Sequence, residues 1–524
     1  MNQLRGIMAT RTFDDKYPGQ PFVQTDNSLE SRKELSDKFL GIYNDTGSQR
    51  FWQISVIFGV LFGIGLLGYF WKIFVTKDPG DFGYYAALFS FLMTTSAGAP
   101  MVAIGPRIAN AHWRRSISRV AEIWTLIGTV NLIVFLPLLW VMPSLDNGRR
   151  SLVFYWEAKG DWWFPFLIKF SGHIWTTVSI ITLIVLGIAL LWVSVMPDLA
   201  LIRDNAPDGW RKKWASRLSR GWIGSSWQWN WQRHRMGTLG ALYFMMLVLT
   251  HFFISTEFLM VHVPGWIDSL YPITHAHNAL QGGVATVMLT MFVVSRIGPY
   301  RHYISLDQFH GLGKLLLALS LLWFWFWFCS FMIFWYGKKP SEQAILKLFV
   351  HGPYFPVFLA EFFFVFFIPW WTMVWNPVRR SVWGPAIIAI SVLIGTFLDR
   401  VRMYVSTWDV AGISADKLAA NGGQFSDEYP RNMMLNMTIL DDPAFDRIMI
   451  IKNFEGLPVP TSAVLPTAID GVIILGFVSG AVFLYMMASR LIPVINIWEQ
   501  KELLLYNAEV QFHRAKVKVM GKPR

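Results

Sequence analysis

"LLWFWFWFCSFMIFWYGKKP" fills residues 321–340, where Trp323, Trp325 and Trp327 alternate with Phe324, Phe326 and Phe328 before the run stops at Lys338, Lys339 and Pro340. A strand would put Trp on one face and Phe on the other, and both faces would need burial. Extended back through "GKLLLALS", the apolar run covers Gly313 to Tyr336, long enough for a helix that is apolar on all sides to cross a bilayer. Its far end places Trp335 and Tyr336 at headgroup level, where amphipathic rings are favoured. The spacing therefore predicts a helix in lipid.

The rest of the chain agrees. Of 524 residues, 54% are hydrophobic and only 15% charged, and the mean hydropathy is +0.38, a departure from soluble composition in the direction of membrane proteins. The net charge of +12 comes from short basic blocks between apolar runs, the pattern of loops at a membrane face and not of a nucleic-acid surface. Cys329 is the only cysteine, so the chain has no internal disulfide, no CxxCH haem attachment site and no thiolate set for an iron–sulfur cluster or structural zinc. No haem or iron–sulfur centre is expected in this chain, and any redox metal belongs to a partner or uses histidine.

Apolar stretches of about 20 residues fall at 51–75, 84–106, 117–142, 170–196, 237–261, 279–296, 312–336, 351–376, 383–405 and 467–490. The fold class read from them is an all-α polytopic membrane protein of about ten transmembrane helices. A polar segment (1–50) precedes the membrane domain (51–490), and a basic tail (491–524) follows it. The polar start predicts no cleavable signal peptide.

Ten spans put both ends on one side. Arg5, Arg11, Lys16, Arg32, Lys33, Lys38 and Arg50 lie there, with Arg107, Arg114, Arg115 and Arg119 of the next loop and the eight basic residues of the 197–236 loop. Arg296, Arg301, Arg379, Arg380 and the tail (Lys501, Arg514, Lys516, Lys518, Lys522) join them, so this side is read as cytoplasmic. The 262–278 loop opposite has no Lys or Arg, and the long 406–466 loop carries the acidic stretches "SDEYP" and "ILDDPAFD".

Ionisable groups in hydrocarbon are costly, so each is a candidate functional residue. By depth, His173, Glu257, Asp268, His275, His277, Asp399, Arg400, Arg402 and Asp470 fall near the outer surface, His251 and Glu361 nearer the middle, and Glu122, His310 and Lys314 toward the cytoplasm. An outer polar pocket with aromatic walls is what a quinone head requires: hydrogen-bond partners for its carbonyls and groups that exchange two protons. His173, Glu257, Asp399 and Arg400 are read at the quinone head, with Asp268, His275 and His277 as further binding residues. His251, Glu361, Lys314, His310 and Glu122 are the candidate proton file. Plainer readings stand beside these: Asp399 with Arg400 and Arg402 as an ion pair at a helix end, His275 and His277 as surface loop residues, His310 and Lys314 as snorkelling side chains.

Two other classes are open to the same residues. His173 and His251 could ligate a b-type haem, although they come from opposite-running spans at different depths. A transporter would need broken helices facing each other in two halves, and "TSAGAP" (95–100) is one such break without a clear counterpart.

"LGKLLLALSLLWFWFWFCSFMIFWYGKKPSEQ" resembles a segment of the NrfD/PsrC-like family, the quinone-reactive membrane subunits of polysulfide reductase and alternative complex III, with the ten-span ActC-type subunits of the latter nearest. "HWRRSISRVAEIWTL" (112–126), "MPDLALIRD" (196–204), "GWIGSSWQW" (221–229), "STEFLMVHVPGW" (255–266) and "FVFFIPWWTMVWNPVRRS" (364–381) are similar to the family's motifs in the family's order. The resemblance implies two four-helix bundles, spans two to five and six to nine, with spans one and ten outside them. It also implies a menaquinone or ubiquinone site at the outer face of a bacterial or archaeal cytoplasmic membrane, beneath an iron–sulfur protein. Behind that protein would stand a molybdopterin-type, hydrogenase or multihaem cytochrome subunit. Glu257 occupies the carboxylate position of "STEFLM". The chain departs from the family where Ser96, "LPLLWVMP" and Ile267 stand in place of histidines. A quinone-free anchor or proton-conducting subunit is the alternative reading.

Overall fold

The computed structural model describes residues 29–142, 151–153, 170–420 and 462–519, except 46, 77–78, 264–265, 298–299, 301–302, 339, 507 and 513–514. The acidic stretches of the 406–466 loop, and Arg5, Arg11, Lys16, Arg301, Arg514 and Lys522, lie outside the described residues. Among the described residues, ten helices are long and apolar enough to cross a membrane: Gln49–Val75, Gly80–Ile108, Ser118–Val141, Ser171–Asn205, Ser226–His262, Tyr271–Arg296, Leu306–Gly337, Phe355–Met373, Trp383–Val410 and Ala468–Leu491. They are called spans one to ten.

Side-chain caps start several of them. Ser225 with Gln228, Ser305 with Gln308 and Thr467 with Asp470 form capping boxes at spans five, seven and ten, each satisfying backbone N–H groups that a helix start leaves unpaired. The aromatic span seven ends at Lys338, whose φ of 49° is left-handed and stops the helix. Its rings divide between two environments. Phe324 stacks on Phe366 at 4.4 Å and Trp327 on Phe358 at 5.4 Å, both on span eight, while Trp325, Trp335 and Tyr336 are exposed where lipid would lie.

Spans two to five pack on one another, as do spans six to nine, and spans one and ten pair outside against spans two and three. The two groups join where span two packs on spans six and nine and where span five packs on span six. A Cβ added at Gly98 would meet the Ala279 carbonyl oxygen, and one at Gly283 would meet the Gly98 backbone, so only glycine permits this approach. "TSAGAP" is thereby a packing element: Met93–Ala97 forms a π-helical turn leading into the crossing. Spans one and ten meet in the same way at Gly65 and Gly476, and a buried Lys72–Asp470 ion pair of 2.6 Å fastens their ends.

Boundaries differ from expectation where polar residues are carried inside a helix, as where span five starts at Ser226 and not at 237. Span four continues through Pro197 to Asn205, burying Asp198. Span six begins at Tyr271, so His275 and His277 are helical and buried, not in a loop. The span-nine helix runs on to Ala420, so Asp399, Arg400 and Arg402 lie within it and not at its end.

The terminal segments are also structured. Helix Leu29–Asn44 buries Leu35, Phe39, Leu40 and Tyr43 and packs on the helix Ile497–Tyr506. This end of the bundle is called the terminal face. An antiparallel hairpin, Ala508–Phe512 with Ala515–Val519, follows in the tail.

Candidate functional site

Four charged side chains meet inside the second bundle. Arg402 grips Glu361 in a two-pronged contact, Nε to Oε2 at 2.5 Å and Nη2 to Oε1 at 3.0 Å, and reaches Asp399 Oδ1 at 3.5 Å. Asp399 Oδ2 accepts from Asn278 Nδ2 at 2.9 Å and lies 3.5 Å from Arg400 Nη2. All are buried, and two carboxylates balance two guanidiniums.

Arg400 has this ion contact with Asp399 but no side-chain hydrogen bond among the described residues. Its Nε, Nη1 and Nη2 have no hydrogen-bond partner among the described residues, although the side chain is fully buried. Buried polar groups are normally satisfied, yet Tyr271 Oη, Asn278 Oδ1 and His251 Nε2 are also unpartnered. The rings of Tyr271 and Tyr404 lie 6.1 and 6.2 Å from that of His275, and Tyr404 is one helical turn from Arg400 on span nine.

His251 of span five and His275 of span six face each other, Nδ1 to Nδ1, at 2.9 Å. His275 Nε2 is 3.1 Å from both Ser90 Oγ of span two and Tyr404 Oη of span nine. One Nδ1 must carry the proton that the other accepts. If His275 donates, its Nε2 accepts from Ser90 or Tyr404; if His251 donates, His275 Nε2 is protonated and donates outward. Exchanging the two tautomers moves a proton across the seam between the bundles.

The other expected residues are placed elsewhere. His173 Nε2 bonds the Met142 carbonyl at 3.0 Å, and its ring packs on Phe258. Glu257 accepts from Ser151 Oγ at 2.9 Å and Val153 N at 3.2 Å. Both are buried, His173 on span four and Glu257 on span five, and His173 bonds Met142 while His251 meets His275. His277 Nε2 donates to the Leu319 carbonyl at 2.9 Å, a helix-to-helix contact. Asp268 is a helix cap: its Oδ1 accepts from Leu270 N and Tyr271 N, and its Oδ2 from Ser330 Oγ.

The expected proton file is not one assembly. Glu361 belongs to the Arg402 cluster, His310 is half-buried, and Lys314 is exposed. Glu122 sits in a second network at the terminal face. There Arg119 bonds Glu122 at 3.3 Å and Asp198 at 3.2 Å, Ser194 Oγ donates to Glu122 at 2.6 Å, and Arg107 bridges Glu122 to Glu499. Arg114 holds Glu499 Oε1 at 2.6 Å, and Asn496 donates to its Oε2. This network locks helix Ile497–Tyr506 onto spans two to four.

Burial raises the Glu499 carboxyl, but the Arg114 and Arg107 guanidiniums outweigh it and hold it at about 2 against an ordinary 4.5. A lowered carboxyl contributes stability that is full above its unfolded value and lost as pH falls through its folded one. The tail helix is expected to loosen between pH 4.5 and about 2. Glu499→Gln is expected to loosen it at neutral pH, speeding hydrogen exchange at 497–506 by about tenfold or more. Unchanged protection would refute this account of the lock.

Sequence reasoning missed Asn278, Ser90, Tyr404 and Asp198. Their signal was faint: Asp198 lay just beyond an apolar run that was ended too early, and the others are uncharged. Among the described residues, no group of three or more His, Cys, Asp or Glu is arranged to hold a metal ion. No protein-family model matches the chain, and no curated protein matches it either.

Proposed function

We propose that the chain is the quinone-reactive membrane subunit of a respiratory redox complex, passing electrons between quinol and an iron–sulfur partner on the far face. The observation that carries this reading is Arg400, a fully buried cation whose hydrogen-bonding nitrogens are unsatisfied, with Tyr271 Oη and His251 Nε2 unsatisfied nearby. These groups fit a quinone head: Arg400 and Tyr271 offer donors to a carbonyl oxygen, and His251 offers a proton or accepts one according to tautomer.

When bound, a quinone supplies two-electron, two-proton chemistry. The chain's own residues supply the rest. Asp399, held by Asn278, orients Arg400, and the His251–His275 pair holds a proton that it passes toward Ser90 or Tyr404. Arg402 and Glu361 keep the surroundings neutral in total. The terminal face is read as cytoplasmic because the 107–119 and 197–236 loops and Arg379 and Arg380 lie on it. The NrfD/PsrC-like resemblance of the span motifs supports a bacterial or archaeal cytoplasmic membrane, and a molybdopterin-type, hydrogenase or multihaem partner beyond the iron–sulfur protein.

The test uses the intact complex purified in detergent. Quinone is extracted and identified, and quinol-dependent electron transfer is compared for wild type, Arg400→Gln and His251→Gln, each checked for assembly by gel filtration. Bound quinone in wild type, and a rate loss on the order of a hundredfold in assembled Arg400→Gln, are expected. Absence of both quinone and quinol activity would overturn the proposal.

A quinone-free proton-conducting subunit is the second reading, favoured by the His251–His275 contact, which links four spans through side chains that can each carry a proton. It predicts that His251→Gln slows proton uptake in a complex that never contained quinone.

A further inference from the structure

Spans four and five are joined at the terminal face by residues 206–225, which form the helix Trp210–Ser219. The segment lies on the terminal face, between the ends of two helices long and apolar enough to cross a membrane. Two of its features go together. Trp210 is 58% exposed, Trp214 39% and Ile223 81%, and Trp227 in the first turn of span five is 71% exposed, a set of rings and aliphatic surface of the kind that settles at headgroup depth. Beside them opens a cleft of about 460 Å³ lined by Arg203, Asp208, Lys212, Lys213, Ser216 and Arg217.

The cleft holds four cations against one carboxylate, and the cations are not equally committed. Arg203 is fixed, bonding both oxygens of Asp204 at 2.7 and 3.0 Å and donating to Ser219 Oγ and the Trp222 carbonyl. Lys212 Nζ is shared with Asp208 at 2.8 Å, on a carboxylate that is 96% exposed. Lys213 and Arg217, one helical turn apart, have no carboxylate partner among the described residues. Basic groups without a carboxylate partner in a concavity on the terminal face, with exposed tryptophans alongside of the kind that settle at headgroup depth, match a phosphodiester whose acyl chains continue into the bilayer.

We propose that this cleft binds the headgroup of an anionic phospholipid, with the phosphate on Lys213 and Arg217 and the acyl chains along Trp210 and Trp214. Asp208 competes with the phosphate for Lys212 and so tunes the site. The inference rests on the membrane placement of the chain alone and is independent of the quinone reading.

The test is native mass spectrometry of the full-length protein in detergent, titrated with phosphatidylglycerol, phosphatidylcholine or inorganic phosphate. Wild type is expected to retain phosphatidylglycerol in preference to phosphatidylcholine. The triple variant Lys212→Gln, Lys213→Gln, Arg217→Gln is expected to weaken that binding by about tenfold or more. Asp208→Asn is expected to strengthen it, and Lys33→Gln, an exposed cation on the terminal face outside the cleft, to leave it unchanged. Equal retention of the two lipids, unaltered binding in the triple variant, or displacement of phosphatidylglycerol by equimolar inorganic phosphate would each overturn the proposal. The last outcome would mean a site for a free anion.

Discussion

Arg402→Leu is expected to lose about 3–5 kcal/mol of stability, the usual cost of leaving a buried charge without its partner. Arg402 is the only guanidinium on Glu361 among the described residues and also reaches Asp399, so its removal strands one carboxylate and weakens the hold on a second. Against a typical total of about 5–15 kcal/mol, this is enough to deplete the folded protein. The double variant Glu361→Gln, Arg402→Leu removes the stranded charge and is expected to recover much of the loss. Cys329, the only cysteine and half-buried, allows the measurement: a thiol-reactive dye follows its exposure on heating. A single variant that melts with wild type, or a double variant no better than the single, would contradict the compensated cluster.

The crossing of spans two and six carries the second large effect. Gly98→Ala and Gly283→Ala each place a methyl group against backbone of the other helix, which cannot rotate away as a side chain does. Overpacking of this kind costs about 1–3 kcal/mol, with the upper end expected where both neighbours are backbone. Gly63→Ala in span one meets nothing within 4 Å and serves as the neutral control. The same thermal assay separates the cases, and comparable melting of all three would mean that the helices do not touch through these glycines. Because Ser90 and His275 approach each other across this same pair of spans, a partial separation is also expected to loosen the histidine contact.

These outcomes bear on what was legible in the residues. The aromatic run reads as a membrane-crossing helix, and residues 321–337 belong to a helix long and apolar enough to cross a membrane, as do the other nine spans. Errors fell at helix ends that carry charge. His275 and His277 read as loop residues because hydropathy falls there, yet Tyr271 already starts the helix and neighbouring spans bury the rings. Lys314 and Glu122 read as steps of one file because they share a depth, but one is exposed and the other is held by Arg119 and Arg107.

Hydrophobic length is a local property, and a bilayer requires every spanning backbone to satisfy its own hydrogen bonds, so ten helices and their approximate ends follow from runs of neighbouring residues. Which charges neutralise one another follows from nothing local. His251 meets His275 across 24 residues, Glu361 meets Arg402 across 41, and Arg114 meets Glu499 across 385. Each pairing costs little only because desolvation of both groups is offset at short range, and that range is set by how the helices pack, through Gly98 and Gly283 above all. Arg400 shows the same dependence most sharply. As a residue type it is an ordinary partner for Asp399 beside it, and packing alone leaves its guanidinium buried with hydrogen bonds still to give.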